Sequence, residues 1–182
     1  MPLGPETLLR LVKENKLVEN LDERELTRPE GAGFDLRLGE VYEFIDRPAE
    51  EPFLGIEERH TPETRLVLKY EEGNEIWCNL KPGDYFLVKT IEKVNLPNDL
   101  TGHIFTRSTL FRSGLALYCT QVAPEYKGEL TFGLKNEGPV TMRIQLGARF
   151  AHIQFEEVQG GGAGYRGPWG GRVSTEKPEG QV

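Results

Sequence analysis

From Gly33 onward the sequence is cut into short alternating runs separated by turn residues, a division that suits an all-β chain and not βαβ units. Residues 33–38 and 41–44 alternate at period two across Gly39-Glu40, as the two arms of a hairpin would. Residues 65–70 read as a further strand, and the turn Lys81-Pro82-Gly83-Asp84 feeds another at Tyr85-Phe86-Leu87-Val88. Short strands follow at 103–106, 115–122, 129–136, 140–146 and 149–158, with turn signals at Asn136-Glu137-Gly138 and Leu146-Gly147. Strands at this spacing predict a β-sandwich or barrel. Residues 47–63 carry Pro48, Pro52 and Pro62 among many acids and read as an irregular excursion.

The region before the strands is helical in pattern. Over residues 5–15, PETLLRLVKEN places Pro5 in a first turn and Leu8, Leu9 and Val12 on one face, as in a helix lying on a sheet. A second short helix is expected around residues 22–26, ended by Pro29. With 182 residues and 37% hydrophobic content, the chain suits a single domain with a real core. That domain is expected over residues 1–158. Gly160-Gly161-Gly162 then opens a Gly-rich C-terminal arm, residues 159–182. The arm carries Tyr165 and Trp169, large rings that a docked segment uses and a purely flexible tail does not need.

Charge and side-chain inventory remove several functions. A formal net charge of −7 argues against a general nucleic-acid binder, so any phosphate ligand must be met by a few local basic groups. Two cysteines, Cys78 and Cys119, and three scattered histidines make no zinc-ligand spacing, and no metal held by protein side chains is expected. The H-x-E and P-C-x-x-C signatures of zinc-dependent base deaminases are absent. His103 and His152 sit within strand patterns as packed or surface residues, and Asp35 reads as a structural hydrogen-bonding group. No apolar run approaches ~18 residues and no signal pattern opens the chain, so no membrane contact and a cytoplasmic location are expected.

One segment concentrates the local basic groups. Thr106-Arg107-Ser108-Thr109-Leu110-Phe111-Arg112-Ser113-Gly114-Leu115 sets two guanidinium groups and several hydroxyls between two strands, a set suited to a polyphosphate. The run resembles the R-S-S-x-x-R-x-G-L motif of the dCTP deaminases, here Arg107, Ser108, Thr109, Arg112, Gly114 and Leu115. Val122-Ala123-Pro124-Glu125-Tyr126-Lys127-Gly128 is similar to that family's I-D-P-G-W-x-G, and residues 130–136 match its strand ending in Asn. Residues 146–155 resemble its closing strand, and Gly33-Phe34-Asp35-Leu36-Arg37-Leu38-Gly39 its D-L-R-L-G strand. The likeness runs in order along nearly the whole chain. It places the protein in the dCTP deaminase and dUTPase superfamily, closer to the dCTP deaminase branch.

That resemblance implies a dUTPase-like distorted β-barrel or jelly roll with a short N-terminal helix, assembled as a homotrimer with each site between neighbouring subunits. It also implies a deoxynucleoside triphosphate ligand accompanied by Mg²⁺ that is held through the phosphates. Carried over residue by residue, nucleotide or phosphate binding falls to Arg107, Ser108, Thr109, Arg112, Cys119, Gln121, Ala123 and Tyr126. Tyr165, Arg166 and Arg172 of the arm join them by the same likeness, although Pro168 stands where the family often has a phosphate-contacting Lys.

The pattern breaks at the water-activating acids. Counting back from Asn136, the deaminase Glu position is Gly133, and the dUTPase Asp position is Ala123. Neither residue can accept a proton. Two kinds of function therefore stand. One is an enzyme, turning dCTP into dUTP and ammonia or, alternatively, dUTP into dUMP and diphosphate, with Ser108 and Arg112 near the reaction and Glu125 as a relocated acid. The other is a catalytically silent nucleotide-binding regulator. Loss of the side chain at Gly133 is expected to leave an enlarged, less polar gap, which Gly133→Glu would refill.

Overall fold

The computed structural model describes residues 1–167 and Gly171. Helix α1, Pro5–Asn15, starts at Gly4 with Pro5 in its first turn and ends where Lys16 turns left-handed, at φ 54°. Leu8 on its inner face is fully buried. A two-residue strand, β1 (Val18–Glu19), leads into α2 (Glu23–Thr27), whose Asp22 N-cap carboxylate accepts from Arg24 N at 3.0 Å.

Ten further strands follow: β2 (Gly33–Phe44), β3 (Phe53–Leu54), β4 (Arg59–His60), β5 (Thr64–Lys69), β6 (Trp77–Leu80), β7 (Tyr85–Asn95), β8 (Leu100–Thr106), β9 (Leu115–Tyr118), β10 (Lys127–Asn136) and β11 (Met142–Gln145). The last strand is β12 (Arg149–Glu157), and a single helical turn, α3 (Ser108–Arg112), sits between β8 and β9. The main sheet runs β8-β12-β2-β7-β10-β9, all neighbours antiparallel, with β1 added to β7 and β5 to β2. Its two ends meet, because Gly102 of β8 and Val122, just beyond β9, exchange both backbone hydrogen bonds at 3.0 and 2.8 Å. The result is a nearly closed, distorted barrel in one domain, as expected.

Inward-facing residues alternate along every long strand and fill the barrel: Phe34, Leu36 and Leu38 from β2, Val88 and Val94 from β7, Leu130, Phe132 and Leu134 from β10, Ile153 and Phe155 from β12. Phe132 and Phe150 meet edge-on with centroids 5.8 Å apart.

Gly39 does not turn the chain. The expected hairpin is one continuous strand, β2, and Gly39 sits at a register shift between Leu38 and Glu40. A Cβ there would lie 2.9 Å from Ile91 N on β7. The glycine thus allows a bulge with close backbone approach instead of a reversal.

Candidate nucleotide site

The basic segment folds as the single helical turn α3, and its parts diverge in role. Ser108, Thr109 and Arg112 of α3 face solvent, with the Arg112 guanidinium 5.7 Å from the Phe111 ring centroid. Arg107, the residue at the N-cap of α3, instead turns back and donates to the carboxylate of Asp35 on β2. Asp35 is 1% exposed and also accepts from Arg149 Nη1 at 3.0 Å, while His152 Nδ1 lies 3.0 Å away. Behind it, fully buried Glu25 of α2 accepts from Asp35 N at 3.0 Å, and the other Glu25 oxygen has no partner among the described residues. Burial pushes the Glu25 carboxyl above its usual range against the pull of Arg149 and the other nearby cations. Burial likewise lowers His152. The structural reading of Asp35 and His152 agrees with this cluster, and His103 pairs at the surface with Glu156 at 3.5 Å.

Gly114, after α3, has φ 79° and lies where a Cβ would come within 2.8 Å of Gly138 Cα. Asn136 knots the same corner: its side-chain amide donates to Leu80 O and Val140 O, both at 2.8 Å, and its oxygen accepts from Gly138 N at 2.9 Å. The Gly and Asn of the motifs are therefore framework residues, holding α3 against the β10–β11 turn.

A cavity of about 420 Å³ opens where β9 stops pairing with β10. Thr120, Gln121, Val122 and Ala123 form one wall, Leu130, Thr131 and Phe132 the facing strand, and Leu87 and Tyr126 the remainder. Tyr165 of the arm closes it, its ring edge-on to Tyr126 at 5.0 Å, with Tyr165 N donating to Pro124 O at 3.0 Å. The Tyr126 hydroxyl donates to Glu129 O at 2.7 Å and accepts from Gly171 N at 3.1 Å. Gln121 is anchored by its amide on Thr101 Oγ1 at 2.6 Å. Of the residues expected to bind nucleotide or phosphate, Gln121, Ala123, Tyr126 and Tyr165 are thus together. Cys119 lies next to them in sequence, with Sγ 3.7 Å from Ile104 O. Leu87 and Thr131 were missed; the outward period-two positions of β7 and β10 were the signal that could have found them.

The basic turn does not reach this cavity within one chain. Arg107 is five residues along β8 from Gly102, the residue paired beside the cavity, a span of roughly 16 Å. Glu125 also points elsewhere. At φ 62° it lines a separate polar groove with Lys16, Glu19, Asn95 and Lys127. Arg166 is exposed, and Trp169 and Arg172 lie outside the described residues.

Nor is there a gap at Gly133. It pairs with Leu87 on one side and Tyr118 on the other, and a Cβ there would run into the Tyr85 hydroxyl, with Tyr85 Cζ at 2.8 Å and Tyr118 Cβ at 3.2 Å. The space left by the absent carboxylate is filled by a neighbouring ring, so Gly133→Glu meets a collision and not a vacancy. Among the described residues, no group of three His, Cys, Asp or Glu could hold a metal ion. No described helix is long and apolar enough to cross a membrane.

Similarity to known proteins bears on the family and the fold. A family model described as dCTP deaminase-like matches residues 3–158. A dCTP deaminase of Natronomonas pharaonis is 32% identical over 152 residues, covering 82% of this chain and 76% of the relative. A dUMP-forming dCTP deaminase of Dictyoglomus thermophilum is 29% identical over 168 residues, covering 87% and 81%. Among solved structures, the 2'-deoxycytidine 5'-triphosphate deaminase of Agrobacterium tumefaciens superposes with a TM-score of 0.62 at 16% identity. That likeness concerns the fold; it covers 85% of this chain, which spans 46% of that one.

Proposed function

Because this chain belongs to the dCTP deaminase-like family, we propose that it binds a pyrimidine deoxynucleoside triphosphate, with base and sugar in the cavity between residues 120–123 and β10. The observation that carries this reading is the cavity itself, apolar enough for a ring and closed by Tyr126 and Tyr165. The triphosphate falls to Ser108, Thr109 and Arg112 of a neighbouring copy in a homotrimer, since one chain keeps its basic turn too far from its own cavity. Arg107 supports that turn through Asp35. Mg²⁺ enters with the phosphates, which suits its preference for phosphate oxygens and water over an all-protein cage.

In this reading ring deamination is absent or very slow. General acid–base catalysis supplies about 10²–10⁴-fold in rate, and neither Gly133 nor Ala123 can contribute it. Calorimetry of the purified protein with dCTP, dUTP, dTTP and ATP tests the binding, while ammonia and diphosphate release are followed separately. Saturable binding of the pyrimidine nucleotides with little release of either product is expected. Failure to bind any deoxynucleoside triphosphate overturns the reading.

A second reading, dCTP deamination proper, is favoured by Glu137. Its carboxylate accepts from the Tyr118 hydroxyl at 2.8 Å, and Tyr118 is the register partner of Gly133. Robust ammonia release that is lost in Glu137→Gln would establish it.

A further inference from the structure

Tyr85 is a residue that neither the motifs nor the family reading uses. It lies two positions from Leu87 on the outward face of β7, and its hydroxyl sits over Gly133, the register partner of Leu87, which lines the cavity. Gly133 is what admits it there, because any larger residue at that position would displace the Tyr85 hydroxyl. Two further rings hold it in place: Phe44 stacks at 5.7 Å with an interplanar angle of 27°, and Tyr118 packs at 5.8 Å. The Tyr118 hydroxyl is committed to Glu137, whereas that of Tyr85 makes no hydrogen bond among the described residues. A positioned phenol with an unused O–H thus stands over the strand pair, Gly133 and Leu87, whose Leu87 lines the apolar slot.

We propose that Tyr85 is the base-reading residue of this site, donating its hydroxyl hydrogen to the carbonyl oxygen at C4 of a uracil or thymine ring. The inference rests on the proposed nucleotide site and sharpens it to keto pyrimidines. A phenol donates more strongly than it accepts, so the cytosine amine at the same ring position is the poorer match. A site that hydrogen-bonds its ligand also discriminates against one that leaves the polar group unpaired. Gly133 and Tyr85 act as one unit, the glycine providing the space that the tyrosine fills.

The test is binding of dUTP, dTTP, dCTP and 2-deoxyribose 5-triphosphate, which lacks a base, to the wild type, Tyr85→Phe and Gly133→Ala. The wild type is expected to prefer dUTP and dTTP over dCTP. Tyr85→Phe keeps the ring and its stacking, so it should melt like the wild type and bind dUTP roughly three- to tenfold more weakly, the loss of one hydrogen bond. It should bind the base-less triphosphate unchanged. Gly133→Ala, which moves the hydroxyl without removing it, should show the same base-dependent loss. Unchanged dUTP affinity in Tyr85→Phe, or an equal loss for the base-less compound, overturns the role of Tyr85 while leaving the nucleotide site standing. A wild type that binds no nucleotide overturns both.

Discussion

At the residue scale, the two arginines of the motif share a spacing and differ in what they do. Arg112 is exposed and, among the described residues, its guanidinium meets its neighbouring ring, so Arg112→Ala should leave melting unchanged while weakening triphosphate binding by about 1.5–3 kcal/mol, the range for a hydrogen bond to a charged group. Arg107 belongs to the buried side of the turn. Asp35→Ala would strip Arg107 and Arg149 of a nearly buried partner, and breaking such a pair costs about 3–5 kcal/mol when both charges are fully buried. The two guanidinium groups keep 23% and 30% of their side-chain exposure, which puts the expected loss in chemical denaturation at or below the lower end of that range. Glu25 supplies a pH test. Burial raises its folded carboxyl above the ordinary carboxylate range, so its contribution is intact below that range and is lost as pH rises through the folded value. Glu25→Gln cannot ionise. Its melting temperature relative to the wild type should therefore climb as pH is raised, and a difference that stays flat with pH would show that Glu25 is not titrating in the fold.

At the element scale, the arm and β2 show opposite relations to their sequences. The arm looks too rich in glycine to carry structure, yet Val158 N donates to Asp99 O and Gly162 N to Asn98 O, both at 2.7 Å, before Tyr165 closes the cavity. Ending the chain after Gly160 removes that ring and should weaken nucleotide binding by roughly tenfold while the barrel still melts cooperatively. Retained affinity in the shortened chain would show that the arm does not cover the ligand. In β2 the glycine-containing dipeptide has the composition of a hairpin, but the strand runs through it because β7 supplies partners on one side while β12 and then β5 supply them on the other. Turn propensity loses to ladder pairing once the partners are present.

At the scale of the whole molecule, the basic turn and the cavity lie too far apart to meet within one chain, which is the gap the proposed homotrimer would bridge. Sedimentation equilibrium should find a trimer, and its sites should each draw on two chains. Trimers formed by mixing Arg112→Ala chains with Ala123→Trp chains, one lacking the phosphate contact and the other with a blocked cavity, should recover part of the binding absent from either parent. No recovery would mean that turn and cavity act within one chain.

The sequence by itself determined the all-β class, the N-terminal helix and the starts of most long strands, because period-two alternation and turn chemistry are local properties; it did not show that β7 runs on to Asn95 or that residues 77–80 form β6. It also carried the motifs at 107–115 and 120–128, which specify backbone shape through residues such as Gly114. Only the tertiary structure decided which side chains share a space. That Arg107 answers to Asp35, that Glu125 faces away from the cavity, and that Tyr85 fills the place over Gly133 all depend on strands far apart in sequence meeting in one register. No local pattern encodes that register, because it is set by closing the barrel around a common core.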